Sequence, residues 1–490
     1  MDSTASLPAE VWTDVPRSTG PLPIPTVSAS RAFYDTRAAS RPRELERTYH
    51  RLLERYYKFF IPPGARVLEV GCGVGDLLAS LQPSMGVGVD FSAEMVQRAR
   101  ARHPDLSFHT AEADEFHLDQ QFDYIVLSDL VNDLWDVQKV LVQLKRFAHP
   151  GTRIVLNFFN YLWFPILKAA EWLGWKAPTL AQNWLSTFDM TNLLRLAGWE
   201  TVKTDARILW PIWTPLVEPL CNRWLAPLLH HLCLTIFIVA RLRPAGAVAS
   251  NLQCSVIIPA RNEAGNVENA VRRTPEMGLG TEIIFVEGGS TDGTWEEIQR
   301  VLSRYPERSI RAIRQQSAGK VGAVREALAC AKGDVLFILD ADLTVPPEEL
   351  PKFYEVIRFG TGEFVNGVRL VYPTEQHAMR FLNLVANKLF SVAFGWLLGQ
   401  PVKDTLCGTK VFLRSDYIKI NRNRECFGAV DPFGDFELLL GAAHLNLKIV
   451  DLPVRYRART YGCTNIQRWK HGWLLLKMMA AMATRLRFIG

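Results

Sequence analysis

Val67-Leu-Glu-Val-Gly71-Cys-Gly73-Val-Gly75 decides how the first half of the chain is read. A short apolar run closes in three glycines at alternate positions, and a helical stretch opens behind them. Glycines there let the backbone turn sharply and come close to a bound ligand. Moving outward, the apolar runs Gly86 to Asp90, Phe108 to Ala111 and Tyr124 to Leu127 follow at helix-sized intervals. Strand alternating with helix implies a parallel, doubly wound α/β sheet.

The rhythm restarts further on with Ser255-Val-Ile-Ile-Pro, Glu282-Ile-Ile-Phe-Val and Val335-Leu-Phe-Ile-Leu. Between the two series, Arg241-Leu-Arg-Pro-Ala-Gly-Ala-Val-Ala-Ser reads as a linker. The 490 residues therefore divide into two tandem α/β domains. The expected boundaries are a mobile arm rich in Pro, Ser and Thr over 1–30, a first domain over 31–240, a linker over 241–253, a second domain over 254–466 and a basic amphipathic helix over 467–490. Helices between Arg31 and Phe60 are expected to cap the first sheet.

With 48% hydrophobic and 22% charged residues the chain is an ordinary folded protein, which excludes disordered and low-complexity classes. The net charge of +6 is too small for its length to argue nucleic-acid binding. Its position says more: Leu452 to Gly490 holds Arg455, Arg457, Arg459, Arg468, Lys470, Lys477, Arg485 and Arg487 and no acid. The eight cysteines are irregularly spaced, with no disulfide framework and no Cys-x-x-Cys pair for zinc. The start lacks a basic and apolar leader, and the apolar run Leu225 to Ala240 is short for a membrane span and contains His230 and His231. A cytoplasmic setting is the expectation.

In the first domain, a dinucleotide fingerprint would place a third glycine where Asp76 stands. Asp90 closes the second strand, where a carboxylate can accept both hydroxyls of a ribose, and Asp114 follows the third, within reach of an adenine amino group. The series Leu68-Glu-Val-Gly-Cys-Gly-Val-Gly, Gly88-Val-Asp-Phe-Ser, Ala113-Asp-Glu and Phe122-Asp-Tyr-Ile-Val-Leu-Ser resembles the class I S-adenosylmethionine-dependent methyltransferases, of Rossmann-like fold, over roughly 40–205. The resemblance implies that Glu69, Gly71 and Gly73 frame the methionine part of S-adenosylmethionine, Asp90 the ribose and Asp114 the adenine. No methyl-acceptor base is named: Asp129, Asn132 and Asp133, just past the fourth strand, read as solvated helix-start residues. The domain is thus either a methyltransferase or a binding module that regulates its neighbour. Residues 158–175 then crowd seven aromatics into eighteen positions, either as packing or as a lid or lipid-facing surface.

In the second domain, Asp340-Ala-Asp342 closes an apolar run, so two carboxylates at i and i+2 share a face at a strand end and could hold a hard divalent cation against a diphosphate. Pro259-Ala-Arg261-Asn-Glu263, Glu287-Gly-Gly-Ser-Thr-Asp-Gly-Thr and Gly319-Lys320 precede it in order. This set resembles the family-2 glycosyltransferases of GT-A fold, and within them the dolichyl-phosphate mannose synthase branch and related polyprenyl-phosphate glycosyltransferases. The resemblance implies a nucleotide-sugar donor with Pro259, Arg261, Glu263 and Glu287 at base and ribose, Lys320 in the same donor site, and Asp340 and Asp342 on Mg²⁺ or Mn²⁺ and the diphosphate. Where relatives carry Asp, Glu287 keeps the charge on a longer arm.

Asp404-Thr-Leu-Cys-Gly-Thr-Lys410 and Phe433-Gly-Asp435-Phe-Glu437 match acceptor-side motifs of that family. Asp435 or Asp404 could deprotonate a hydroxyl, whereas a phosphate acceptor needs no base. Arg455, Arg457 and Arg459 alternate, so a strand would turn all three toward one acceptor phosphate. The family's following Gly-x-Ser-Lys element reads Gly462-Cys-Thr-Asn465 here, without its lysine. Taken together, the expectation is a bifunctional enzyme acting on a polyprenyl phosphate or another membrane-proximal acceptor, with its last helix resting on an anionic membrane face.

Overall fold

A computed structural model describes residues 27–38, 44–174, 176, 179–180, 182–246, 252–317, 319–372, 381–423, 435–462 and 468–489. Most of the 1–30 arm, residues 247–251 of the linker and the 462–465 element beyond Gly462 lie outside these. The helix Val27–Ala38 begins inside the stretch expected to be an arm.

The first sheet runs β3-β2-β1-β4-β5-β7-β6. Its strands are β1 Arg66–Val70, β2 Met85–Asp90, β3 Ser107–Thr110, β4 Phe122–Leu127, β5 Ala148–Phe159, β6 Trp199–Arg207 and β7 Thr235–Leu242. β1 to β5 pair in parallel, and β7 inserts antiparallel between β5 and β6. Side chains of central strands alternate between two buried faces: Leu68, Val70, Ile125 and Leu127 enter one core, Val67, Tyr124 and Val126 the other. The helix Glu44–Phe60 covers the second face with Leu52, Leu53, Tyr56, Tyr57 and Phe60, a 3.6-residue stripe and one of the caps expected from the sequence. Arg241 and Leu242 close β7 and so belong to the first sheet rather than the linker.

The second sheet runs β10-β9-β8-β11-β13-β12-β14. It comprises β8 Cys254–Ala260, β9 Thr281–Glu287, β10 Ser309–Arg314, β11 Val335–Ile338, β12 Phe364–Val368, β13 Lys410–Leu413 and β14 Ile449–Pro453. β8 to β11 are mutually parallel, and β13 is antiparallel to β11 and β12. The β-branched runs of β8, β9 and β11 are buried on both faces, as a parallel sheet under helices requires.

The two units share a polar, buried joint. Arg153 donates from Nε to Asn446 O at 2.8 Å and from Nη2 to both Glu363 oxygens at 2.7 and 2.8 Å. Arg241 reaches Gly360 O at 2.7 Å, Lys448 reaches Thr201 O at 3.0 Å and Asn446 Nδ2 reaches Phe60 O at 2.9 Å. The helix Arg468–Leu486 departs from the expected surface role. Leu475, Met478, Met482 and Leu486 sink into the second core beside the helix Phe381–Leu398, and Trp473, Leu476 and Lys477 stay exposed.

Candidate active sites

The first site lies at the carboxyl ends of β1, β2 and β4. Gly71, Gly73 and Gly75 take φ of 73°, 51° and 78°, a conformation that favours glycine. A Cβ at Gly75 would stand 2.6 Å from the Phe108 ring. Asp90 is buried, and its carboxylate accepts from Gly73 N at 2.8 Å and Ser92 N at 2.9 Å, fixing the glycine turn over β2. Burial raises its carboxyl, against those two amides. Glu69, 2% exposed, ends beneath the turn with Oε2 unpartnered, and burial pushes its carboxyl up to about 8. An orphaned buried carboxylate oxygen beside a glycine turn suits a cationic group of a ligand. Asp114 stands at the rim, paired with Lys139 at 2.7 Å.

Past β4 the structure corrects the sequence reading. No helix starts at Asp129 to Asp133, and Asn132 is buried, donating to Asn183 O at 2.7 Å. Asp129 adopts φ 53° and accepts from Tyr49 Oη at 2.8 Å and Asn157 Nδ2 at 2.5 Å, and burial raises its carboxyl. Asn183 packs back on this turn, donating to Leu134 O at 2.6 Å while its amide bonds Asn132 O, and so buries Asn132, whereas Asp133 stays exposed. An Asp followed three residues later by an Asn, between apolar positions, carries no signal for that long-range contact.

The second site lies at the carboxyl ends of β8, β9 and β11, the edge where parallel sheets bind ligands. Glu263, Glu287, Asp340 and Asp342 stand along this edge, and two cations pair with three of them. Arg459 donates to Glu263 Oε1 at 3.0 Å and to Asp342 Oδ2 at 2.6 Å. Lys320, at the start of the helix Gly319–Cys330, donates to Asp340 Oδ1 at 2.7 Å. Although burial opposes it, the Lys320 ammonium holds the Asp340 carboxyl below the usual range. Asp342 Oδ1 accepts from Thr344 N and Oγ1 at 3.1 and 2.8 Å. Gly408 closes over Asp340: a Cβ there would stand 2.1 Å from Oδ2.

The 261–263 turn is held by contacts that sequence reasoning did not find. Asn262 takes φ 57° and accepts from Thr291 N at 2.8 Å, and its own amide donates to Ser290 Oγ at 3.0 Å. Tyr461 donates to Asp292 Oδ2 at 3.1 Å, and its ring covers Gly265. Glu287 caps Ser290 N from the end of β9. Pro259 is half-buried in β8, and Arg261 is exposed beside it.

Two expectations change here. Asp404 is fully buried and accepts from Arg369 Nε and Nη2 at 2.7 and 2.8 Å, Asn387 Nδ2 at 3.0 Å and Leu406 N at 3.1 Å. Burial opposes ionisation, yet the Arg369 contacts bring its carboxyl down to about 2, the state of a structural anchor and not of a base. Arg455, Arg457 and Arg459 form no strand, because β14 ends at Pro453 and, among the described residues, no strand pairs with the segment beyond it. Arg457 N bonds Thr344 O, Arg455 lies 5.8 Å from the Tyr372 ring centre, and Arg459 alone of the three enters the carboxylate cluster. Asp435 opens the helix Asp435–His444, with its side chain outside the described part. Among the described residues no three His, Cys, Asp or Glu side chains gather into a metal cage, and no helix is long and apolar enough to cross a membrane.

The Methyltransferase domain family matches residues 37–204, and Glycosyl transferase family 2 matches residues 255–421. A dolichol-phosphate mannosyltransferase of Pyrococcus furiosus is 41% identical over 112 residues, covering 22% of this chain and 31% of that protein. An undecaprenyl-phosphate 4-deoxy-4-formamido-L-arabinose transferase of Edwardsiella ictaluri is 33% identical over 212 residues, 42% of this chain and 61% of its own length. The chain thus spans about a third to three fifths of these two relatives. Among solved structures, glucosyl-3-phosphoglycerate synthase of Mycobacterium tuberculosis, in complex with Mn2+, UDP and glucosyl-3-phosphoglycerate, aligns at 20% identity and TM-score 0.35, over 48% of this chain and 80% of that one. The chain joins a methyltransferase domain in its first half to a family 2 glycosyl transferase domain in its second.

Proposed function

We propose that the chain is a bifunctional enzyme that transfers a sugar from a nucleotide-sugar donor to a polyprenyl phosphate and a methyl group from S-adenosylmethionine. The observation that carries the sugar transfer is the Asp340, Asp342, Glu263, Arg459 and Lys320 cluster at one sheet edge. Its carboxylates suit a hard Mg²⁺ or Mn²⁺ that takes its remaining oxygens from the diphosphate and water. The ion's chemistry is to neutralise charge on the departing diphosphate. Arg459 and Lys320 keep these carboxylates compensated without donor and lie within reach of phosphate oxygens once it binds. With Asp404 locked as an anchor, one of the two candidate bases is gone, which favours an acceptor that needs no base, a phosphate. The lipid phosphates in the names of both relatives agree with that choice.

In the first domain the unpartnered Glu69 oxygen and the Asp90 loop support S-adenosylmethionine binding, with the methionine ammonium beside Glu69. A second reading, in which this domain binds the cofactor without turnover and acts on its neighbour, is favoured by the buried ion pairs of the joint. A lipid acceptor also gives the exposed apolar side chains a purpose. Trp172 and Leu216 are 85% and 86% exposed, and Leu389, Val392 and Trp473 of the second domain lie open as well. Trp163 Nε1 bonds Leu232 O and Trp396 Nε1 bonds Pro227 O, tying these segments together, so the reading includes docking on a membrane surface.

Calorimetry with S-adenosylmethionine tests the first half: binding that Asp90→Ala abolishes supports it, and methyl release from the bound cofactor separates the enzyme from the module. Absence of binding refutes both readings of that domain.

A further inference from the structure

β6 carries Lys203, Asp205 and Arg207 at alternate positions, so all three side chains share one face, and that face meets the second domain. Arg207 donates from Nε and Nη2 to Asp205 Oδ2 at 3.1 and 2.8 Å, and onward to Arg487 O at 2.5 Å and Leu486 O at 3.1 Å. Arg487, just beyond the helix Arg468–Leu486, returns a bond to Asp205 Oδ1 at 2.8 Å. Lys203 reaches Ala443 O at 3.5 Å and lies 5.0 Å from the Phe60 ring centre. Asp205 is the carboxylate that pairs with this set, so two buried guanidiniums share one acid and a positive charge stands in excess even before Lys203 is counted.

A cavity of about 270 Å³ opens beside this excess, lined by Thr204, Asp205, Trp396, Gly399 and Arg487, with exposed His230 in its wall. Arg487 is 9% exposed, and its buried Nε has no hydrogen-bond partner among the described residues. Gly399, at φ 71°, keeps the wall open: a Cβ there would come within 3.2 Å of Arg487 Nη2. Uncompensated buried charge is costly, and a guanidinium at a cavity wall offers a planar fork of donors to an oxyanion.

We propose that this inter-domain cavity binds a small phosphate-class oxyanion that neutralises the excess charge and braces the two domains against each other. The site lies away from both transferase centres and does not depend on either being active. The test is saturable thermal stabilisation of the full chain by inorganic phosphate and by glycerol 3-phosphate at constant ionic strength. Tighter binding of the first assigns the free ion, and of the second a phosphorylated metabolite. Arg487→Gln removes the donor fork. Thr204→Trp fills the cavity while leaving Asp205, Arg207 and Arg487 in place, so it serves even if Arg487→Gln fails to fold. Thr204→Trp is expected to weaken apparent affinity tenfold or more, as is Arg487→Gln where it folds, while Arg459→Gln, in the donor site of the second domain, keeps the stabilisation. No saturable stabilisation of the wild-type chain overturns the proposal, as does an undiminished effect in Thr204→Trp.

Discussion

Replacing Glu363 by Gln tests whether the two domains stand as one unit. Glu363 accepts from Arg153 at 2.7 and 2.8 Å and from Lys448 N at 2.8 Å, and Arg241 stands 3.3 Å from its carboxylate. Both guanidiniums are nearly sealed, at 4% and 3% side-chain exposure. Although burial opposes it, Arg153 and then Arg241 hold the Glu363 carboxyl below its ordinary range. Gln keeps the shape and one acceptor but removes the charge, leaving Arg153 desolvated against a neutral amide. Breaking a buried pair in this way costs about 3–5 kcal/mol. Since Arg153 keeps its bonds to Asn446 O and Gly151 O, the lower end, about 3 kcal/mol, is expected. Urea denaturation followed by tryptophan fluorescence and by circular dichroism reads the loss, and the variant should split a shared transition into two. The double variant Glu363→Gln with Arg153→Met should recover part of it, because the orphaned charge is then gone. A loss below about 1 kcal/mol with a single transition would refute a joint held by this pair.

Lys203→Met should stabilise the chain at neutral pH. Burial pushes the Lys203 ammonium down to about 7, against the pull of Asp205. Unfolding therefore takes up a proton between pH 7 and the ordinary lysine range, so wild-type stability rises with pH across that window and the variant loses the slope, by up to about 5 kcal/mol. Asp404→Asn should cost about 2 kcal/mol above pH 4, the amount the wild type loses as pH falls through that carboxyl's range toward 2, and should leave no base-like shift in the pH–rate profile of sugar transfer. Truncating the exposed side chains of Trp172 and Leu216 to Ala should lower flotation with anionic liposomes without changing thermal stability, because neither is part of a core.

The α/β rhythm of both domains was legible because these strands of the parallel series are short, largely apolar runs stopped by glycine or acid: Val67 to Gly71, Gly86 to Asp90, Val335 to Asp340. Local motifs were legible for the same reason, since Gly71, Glu263, Glu287 and Asp340 lie at strand ends that the rhythm already locates. What escaped was set by distance along the chain. Leu225 to Ala240 reads as one apolar run, but only Thr235 onward finds partners, on β5 and β6, and becomes a strand. Lys203, Asp205 and Arg207 look like an ordinary polar strand face until Arg487, some 280 positions later, lands on it. The alternation of Arg455, Arg457 and Arg459 promised a strand, but β14 stops at Pro453, and of the three only Arg459 reaches the carboxylates. The basic tail resolves similarly: Arg459 and Arg487 neutralise protein carboxylates, and fewer of its charges remain for a lipid surface than their number suggested.

The central claim, sugar transfer to a lipid phosphate at the Asp342 cluster, is tested most directly by one assay. The full chain is incubated with a panel of labelled nucleotide sugars, a short polyprenyl phosphate and Mg²⁺ or Mn²⁺, and organic-phase label is counted for wild type and Asp342→Ala. The account predicts transfer from at least one donor, reduced at least a hundredfold in Asp342→Ala, with S-adenosylmethionine binding unchanged in the variant. No transfer from any donor, or equal transfer by Asp342→Ala, contradicts it.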